Sequence, residues 1–139
     1  MRIAQSTVDF LGSDVMLEWY VLLPLMVLCH IIADFHLQGI MGDMKQKSFW
    51  KPYGEQYQND WKPVMVLHGI EWAIIVSIPC LLASWLDVSW WFIAAVIATG
   101  LTHAYIDNLK ANNFQINLVE DQALHILQIV LLLVAYGVM

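Results

Sequence analysis

Lysine and arginine are absent from residues 3–44, 63–109 and 111–139. A cation is costly at membrane depth, so such gaps mark where a chain can lie in hydrocarbon. A bilayer core of about 30 Å takes roughly 20 residues of helix. The middle gap has room for two helices, divided at Trp85-Leu-Asp-Val-Ser89. Four spans are therefore expected, at about 17–38, 64–86, 88–109 and 118–139. Composition agrees: 60% of the 139 residues are hydrophobic, 13% are charged, and mean hydropathy is +0.62. That share of charge is about half of what a soluble domain carries. The expected architecture is a single all-α domain, residues 1–139: a membrane-embedded up-down four-helix bundle. An interfacial loop or short helix joins its first two spans.

An even number of spans puts both termini on one side of the membrane. Lys45, Lys47, Lys51, Lys62 and Lys110 share the other side, and Arg2 lies with the termini. The positive-inside bias makes the lysine side cytoplasmic. Six basic residues against 12 acidic ones exclude nucleic acid as a partner. Membrane lipids are the expected partner, and self-association is left open. Cys29 and Cys80 form no CxxC pair and define no redox compartment. The N-terminus lacks a charged start, a short apolar core and a small-residue cleavage site, so no signal peptide is expected. Trp19, Trp85, Trp90 and Trp91 fall at one membrane face and Trp61 at the other, as amphipathic indoles prefer. The aromatic and lysine-rich stretch 39–62 reads either as a surface loop with interfacial anchors or as a lid.

The spans carry an unusual set of polar residues. His30 and Asp34, His103 and Asp107, and Asp121 and His125 each stand four apart, which places each pair on one helical face. About one such pair is expected by chance from this composition. In an up-down bundle every Asp of these pairs lies nearer the cytoplasm, and His68 enters the second span at similar depth. One polar layer results, near the cytoplasmic end. The two halves also resemble one another, as an internal duplication would produce.

A buried carboxylate must be paired, coordinated or protonated. No lysine or arginine lies within the expected spans to pair with Asp34, Asp107 or Asp121. A divalent cation answers that need, and mixed imidazole and carboxylate ligands suit zinc first, with manganese or iron as alternatives. The candidate ligands are His30, Asp34, His68, His103, Asp107, Asp121 and His125, enough for one ion or two. Each lone His also has a simpler reading, as a hydrogen-bonded packing residue. The whole set could equally form a proton relay or a structural polar network. His36 points off the His30–Asp34 face and reads as interfacial.

The runs His30-Ile-Ile-Ala-Asp34-Phe-His-Leu-Gln38, Thr102-His103-Ala-Tyr-Ile-Asp107-Asn-Leu-Lys110 and Asp121-Gln122-Ala-Leu-His125, with His68 opening the second span, resemble domain of unknown function 3307. This is a family of small bacterial and phage integral membrane proteins. The resemblance implies a bacterial inner-membrane protein with a shared polar site, and it carries no reaction.

The leading functional expectation is a metal-dependent hydrolase or transferase acting on a lipid headgroup or another interfacial substrate. Asp34 or Glu71 would serve as general base, and Gln38, Lys45, Lys110 and Gln122 would bind substrate. Two alternatives are a proton or divalent-ion transporter, and a phage or bacterial membrane-interaction module with a structural metal. Against transport, residues 20–29, 73–86 and 126–139 are nearly featureless, offering beyond Tyr20 itself only Ser77, Ser84, Gln128 and Tyr136 as polar side chains.

Overall fold

A computed structural model describes residues 19–86 and 89–137. Four helices are long and apolar enough to cross a membrane. The first, α1 (Trp19–Ile31), runs directly into a six-residue π-helical segment, Ile32–Leu37. Two short helices, α2 (Met41–Met44) and α3 (Lys47–Trp50), and two 3-10 turns, Lys51–Tyr53 and Glu55–Tyr57, follow. The remaining long helices are α4 (Trp61–Ala83), α5 (Trp90–Ala111) and α6 (Leu118–Gly137). No strand occurs among the described residues.

These bounds differ from expectation in ways the local chemistry explains. Helix α4 begins three residues early because Pro63 falls in its first turn, where a missing N–H leaves no bond unmade. It ends at Ala83 because Trp85 and Leu86 turn left-handed, with φ of 53° and 66°. Helix α5 starts at Trp90, after Ser89 accepts a bond from the Phe92 N–H at 3.2 Å. Helix α6 opens with Asn117 accepting from the Val119 and Glu120 N–H groups, while Glu120 accepts from the Asn117 N–H. Expected span residues 17–18, 87–88 and 138–139 lie outside the described part.

Neighbouring long helices are antiparallel. His30 meets Trp72 while Met26 meets Cys80, and Asp107 meets His125 while Thr99 meets Gln128. Helices α4 and α5 pack closest, crossing at Gly69 and Gly100. A Cβ at Gly69 would come within 2.3 Å of the Gly100 carbonyl oxygen, so only glycine permits that approach.

The bundle is divided along its axis. The half toward the chain termini is filled by Leu22, Met26, Val76, Cys80, Phe92, Ile129 and Leu132, all buried. The other half holds His30, Asp34, His68, His103, Asp107, Asp121 and His125, also all buried. Outward faces present Leu28, Ile74, Leu101 and Leu131, as helices facing lipid do.

Part of the 39–62 stretch is tied down. The Lys47 N–H donates to Asn112 Oδ1, Asn112 Nδ2 donates to the Lys45 carbonyl, and Trp50 Nε1 donates to the Met44 carbonyl. Residues 51–59 are exposed, and Lys47 and Lys62 lie 4.7 and 5.8 Å from the Trp61 ring centroid. The stretch is thus a surface segment whose first part straps the polar end of the bundle.

Candidate metal centre

The seven buried His and Asp side chains form one connected cluster. Around His68 and His103, four atoms face one another: the two Nε2 nitrogens, Asp34 Oδ1 and Asp107 Oδ2. The nitrogens are 3.4 Å apart; His68 lies 3.5 Å from each carboxylate oxygen, and His103 lies 3.7 and 3.8 Å from them. Ligand atoms on one tetrahedral zinc, at bonds of roughly 2.0–2.2 Å, stand about 3.4 Å apart, so each of these five separations suits atoms that share an ion.

A second group gathers at His125 Nε2. Asp107 Oδ1 is 3.3 Å away, Asp121 Oδ1 3.4 Å and Asp34 Oδ2 4.0 Å. The amide of Gln128 sets the tautomer of this ring. Its Nε2 donates to the Thr99 carbonyl at 3.1 Å, so its oxygen is the atom 3.1 Å from His125 Nδ1 and accepts the ring proton there. His125 Nε2 then meets carboxylate oxygens, and positive charge must lie among them. A second ring proton or a metal ion supplies it.

His103 stacks on both Trp72 (ring centroids 4.2 Å apart) and His125 (4.1 Å), which fixes the plane of its ring. His103 Nδ1 and Asp121 Oδ1 are buried without a hydrogen-bond partner. Buried polar atoms seldom go unsatisfied, and Asp121 Oδ1 faces the second group. The donor set, the separations and this unpartnered oxygen all fit a divalent cation. Among the described residues, His/Asp triplets with ligand atoms within 4.8 Å of one another include Asp34, His103 and His125; His68, His103 and Asp107; and Asp107, Asp121 and His125.

His30 joins none of those triplets. Trp72 Nε1 donates to its Nδ1 at 2.9 Å, and its Nε2 donates to Gln122 Oε1 at 3.0 Å. Both ring nitrogens are occupied, although Asp34 Oδ2 lies 3.7 Å from Nδ1. His30 orients its neighbours from beside the cluster. His36 is exposed and lies outside the cluster.

Two expectations are corrected. The carboxylates do have cationic partners within the chain: Lys45 pairs with Asp107, and Lys110 with Asp121. Lys45 is only 5% exposed because the strap after the π segment folds back over the cluster. Lys110 reaches in from the last turn of α5. Long aliphatic stems let both ammonium groups reach acids that no span residue could pair. Glu71, one of the two expected general bases, is exposed. At 100° per residue it sits about 120° from the middle of the α4 stripe that buries Met65, His68, Trp72, Val76 and Cys80. It does not reach the cluster.

The four residues expected to bind substrate are partly engaged within the cluster. Gln38 Nε2 donates to Asp34 Oδ1 at 3.2 Å and to His68 Nε2 at 3.1 Å. Gln122 bridges His30 and Asp121. All four, with Asp34, also line a cavity of about 410 Å³ whose wall includes Phe35 and Phe114. Sequence reasoning missed Trp72 and the Gly69–Gly100 crossing, and treated Gln128 only as an isolated polar residue. An amide three residues beyond His125 in an apolar run was the available signal for Gln128.

Comparison of the chain with protein-family models, with curated proteins and with solved structures finds no match.

Proposed function

We propose that this chain is a membrane-embedded metal-binding protein acting as a hydrolase or transferase on a lipid headgroup or a similar interfacial substrate. The observation that carries the reading is the close approach, at 3.4–3.8 Å, of the buried His68 and His103 Nε2 atoms to one another and to carboxylate oxygens of Asp34 and Asp107. When bound, a divalent cation supplies Lewis-acid polarisation of an ester or phosphoryl oxygen and an activated water. Asp34 is the carboxylate that both faces this set and lines the cavity, so it is the acid a substrate meets. Lys45 and Lys110 in the cavity wall suit an anionic group, and the exposed Phe35 and Phe114 in the same wall suit acyl chains. The lysine-rich end would face the cytoplasm of a bacterial inner membrane, with the termini outside. The motif likeness to domain of unknown function 3307 belongs to this proposal. The apolar packing of the terminal half favours catalysis over passage of an ion through the bundle.

Metal analysis of detergent-purified protein, with and without His103→Ala, is the test. At least one zinc, manganese or iron per chain is expected, with the content reduced in the variant. Less than half an equivalent, unchanged by the substitution, overturns the metal reading. Headgroup release from vesicles of phosphatidylethanolamine and phosphatidylglycerol should stop on chelation, and metal-loaded protein that releases none overturns the enzymatic reading.

A further inference from the structure

We propose that the cluster is built for two cations, bridged by the carboxylates of Asp34 and Asp107. The inference rests on the metal-binding reading above and adds the number of ions and the ligands of each. Each bridging carboxylate divides its two oxygens between the groups. Asp107 turns Oδ2 to His68 (3.5 Å) and His103 (3.8 Å), and Oδ1 to His125 (3.3 Å). Asp34 turns Oδ1 to the same two histidines, at 3.5 and 3.7 Å, and Oδ2 to His125 at 4.0 Å. His68 and His103 complete the first site, and His125 and Asp121 the second. With a single ion the other group must be held by a ring proton or by the Gln38 and Lys45 donors, whereas two ions use every one of these atoms and displace those donors from the first site. Facing helices of a bundle are a common frame for carboxylate-bridged pairs, with ions about 3.5–4 Å apart.

Charge explains why Lys45 occupies the cluster. Three buried aspartates face two lysines, so one negative charge is left over. Two divalent ions reverse that balance and make an ammonium surplus. Lys45 bonds Asp107 Oδ2, the oxygen the first site needs, so a cation at that site and Lys45 compete for it. Lys110 bonds Asp121 Oδ2 and leaves Oδ1 turned to His125. Loading therefore releases Lys45 toward the cavity it lines, where an anionic group can take it up. Asp34, with both oxygens committed, holds ions and takes no proton.

The probe is manganese(II) added to the full chain in detergent, followed by equilibrium dialysis and paramagnetic resonance. The wild type is expected to hold two equivalents and to show the halved hyperfine spacing of an exchange-coupled pair. His68→Ala and Asp121→Asn should each retain one equivalent with an uncoupled six-line spectrum. Lys45→Met should bind its first-site ion more tightly, on the order of tenfold or more, because a competitor is gone and Asp107 is left unpaired. One equivalent with an uncoupled spectrum in the wild type overturns the two-ion proposal and leaves the metal reading standing. No bound manganese, zinc or iron overturns both. The wild-type result decides the matter even if a variant fails to fold.

Discussion

At the level of single residues, the cluster is governed by groups that fix which lone pairs face inward. Gln128 shows how. Its amide is oriented by the Thr99 carbonyl, and that orientation decides which nitrogen of His125 carries the proton. Partners of this kind typically change metal affinity by about 10–100-fold when removed. Gln128→Leu is accordingly expected to weaken metal binding by about that factor, with Gln128→Glu restoring most of it. Calorimetric titration with zinc measures both, and an unchanged affinity in the leucine variant would refute the role. Trp72 acts similarly on two rings, donating to His30 and stacking on His103. Spacing in the sequence marked the histidines and aspartates, because a four-residue step is a property of any helix. The hydrogen-bonding partners that hold them come from other helices, and no local pattern announces them.

At the level of elements, two departures from regular helix shape the site. The π segment Ile32–Leu37 carries Asp34, and such widened turns are frequent where a helix must re-aim a functional side chain. The second departure is the Gly69–Gly100 crossing, which lets α4 and α5 approach until His68 and His103 stand 3.4 Å apart. A methyl at position 69 would meet the Gly100 carbonyl oxygen at 2.3 Å and Ala104 at 3.0 Å, so the helices must separate. Overpacking of this sort costs about 1–3 kcal/mol. Gly69→Ala should lower the thermal midpoint in detergent and reduce metal content. Gly137→Ala, where an added Cβ meets nothing within 4 Å, should change neither. Equal midpoints for the two variants would show that the close approach is dispensable.

At the level of the whole molecule, polar chemistry is confined to one end and the other end is sealed. Trp72 lies beside the deepest histidines, and Met26, Val76, Cys80, Phe92, Ile129 and Leu132 fill the bundle beyond it. Ser77 there donates to its own helix, at the Ile74 carbonyl, and offers no onward step. Proteoliposomes carrying the protein are therefore expected to pass manganese or protons no faster than empty liposomes. Dye-detected flux that Asp107→Asn abolishes would instead establish transport.

Gaps between lysines, apolar content and the repeated four-residue His/Asp step were enough to determine four helices and to mark the seven buried His and Asp residues. Those are consequences of solvation and helical geometry, which act on each segment separately. Tertiary structure alone decided that Lys45 and Lys110 neutralise Asp107 and Asp121, that Glu71 faces outward, and that His30 is locked by Trp72 and Gln122. The reach of a lysine stem across a folded strap and the rotation of each helix about its own axis depend on how neighbours pack, and packing is not written in any one segment.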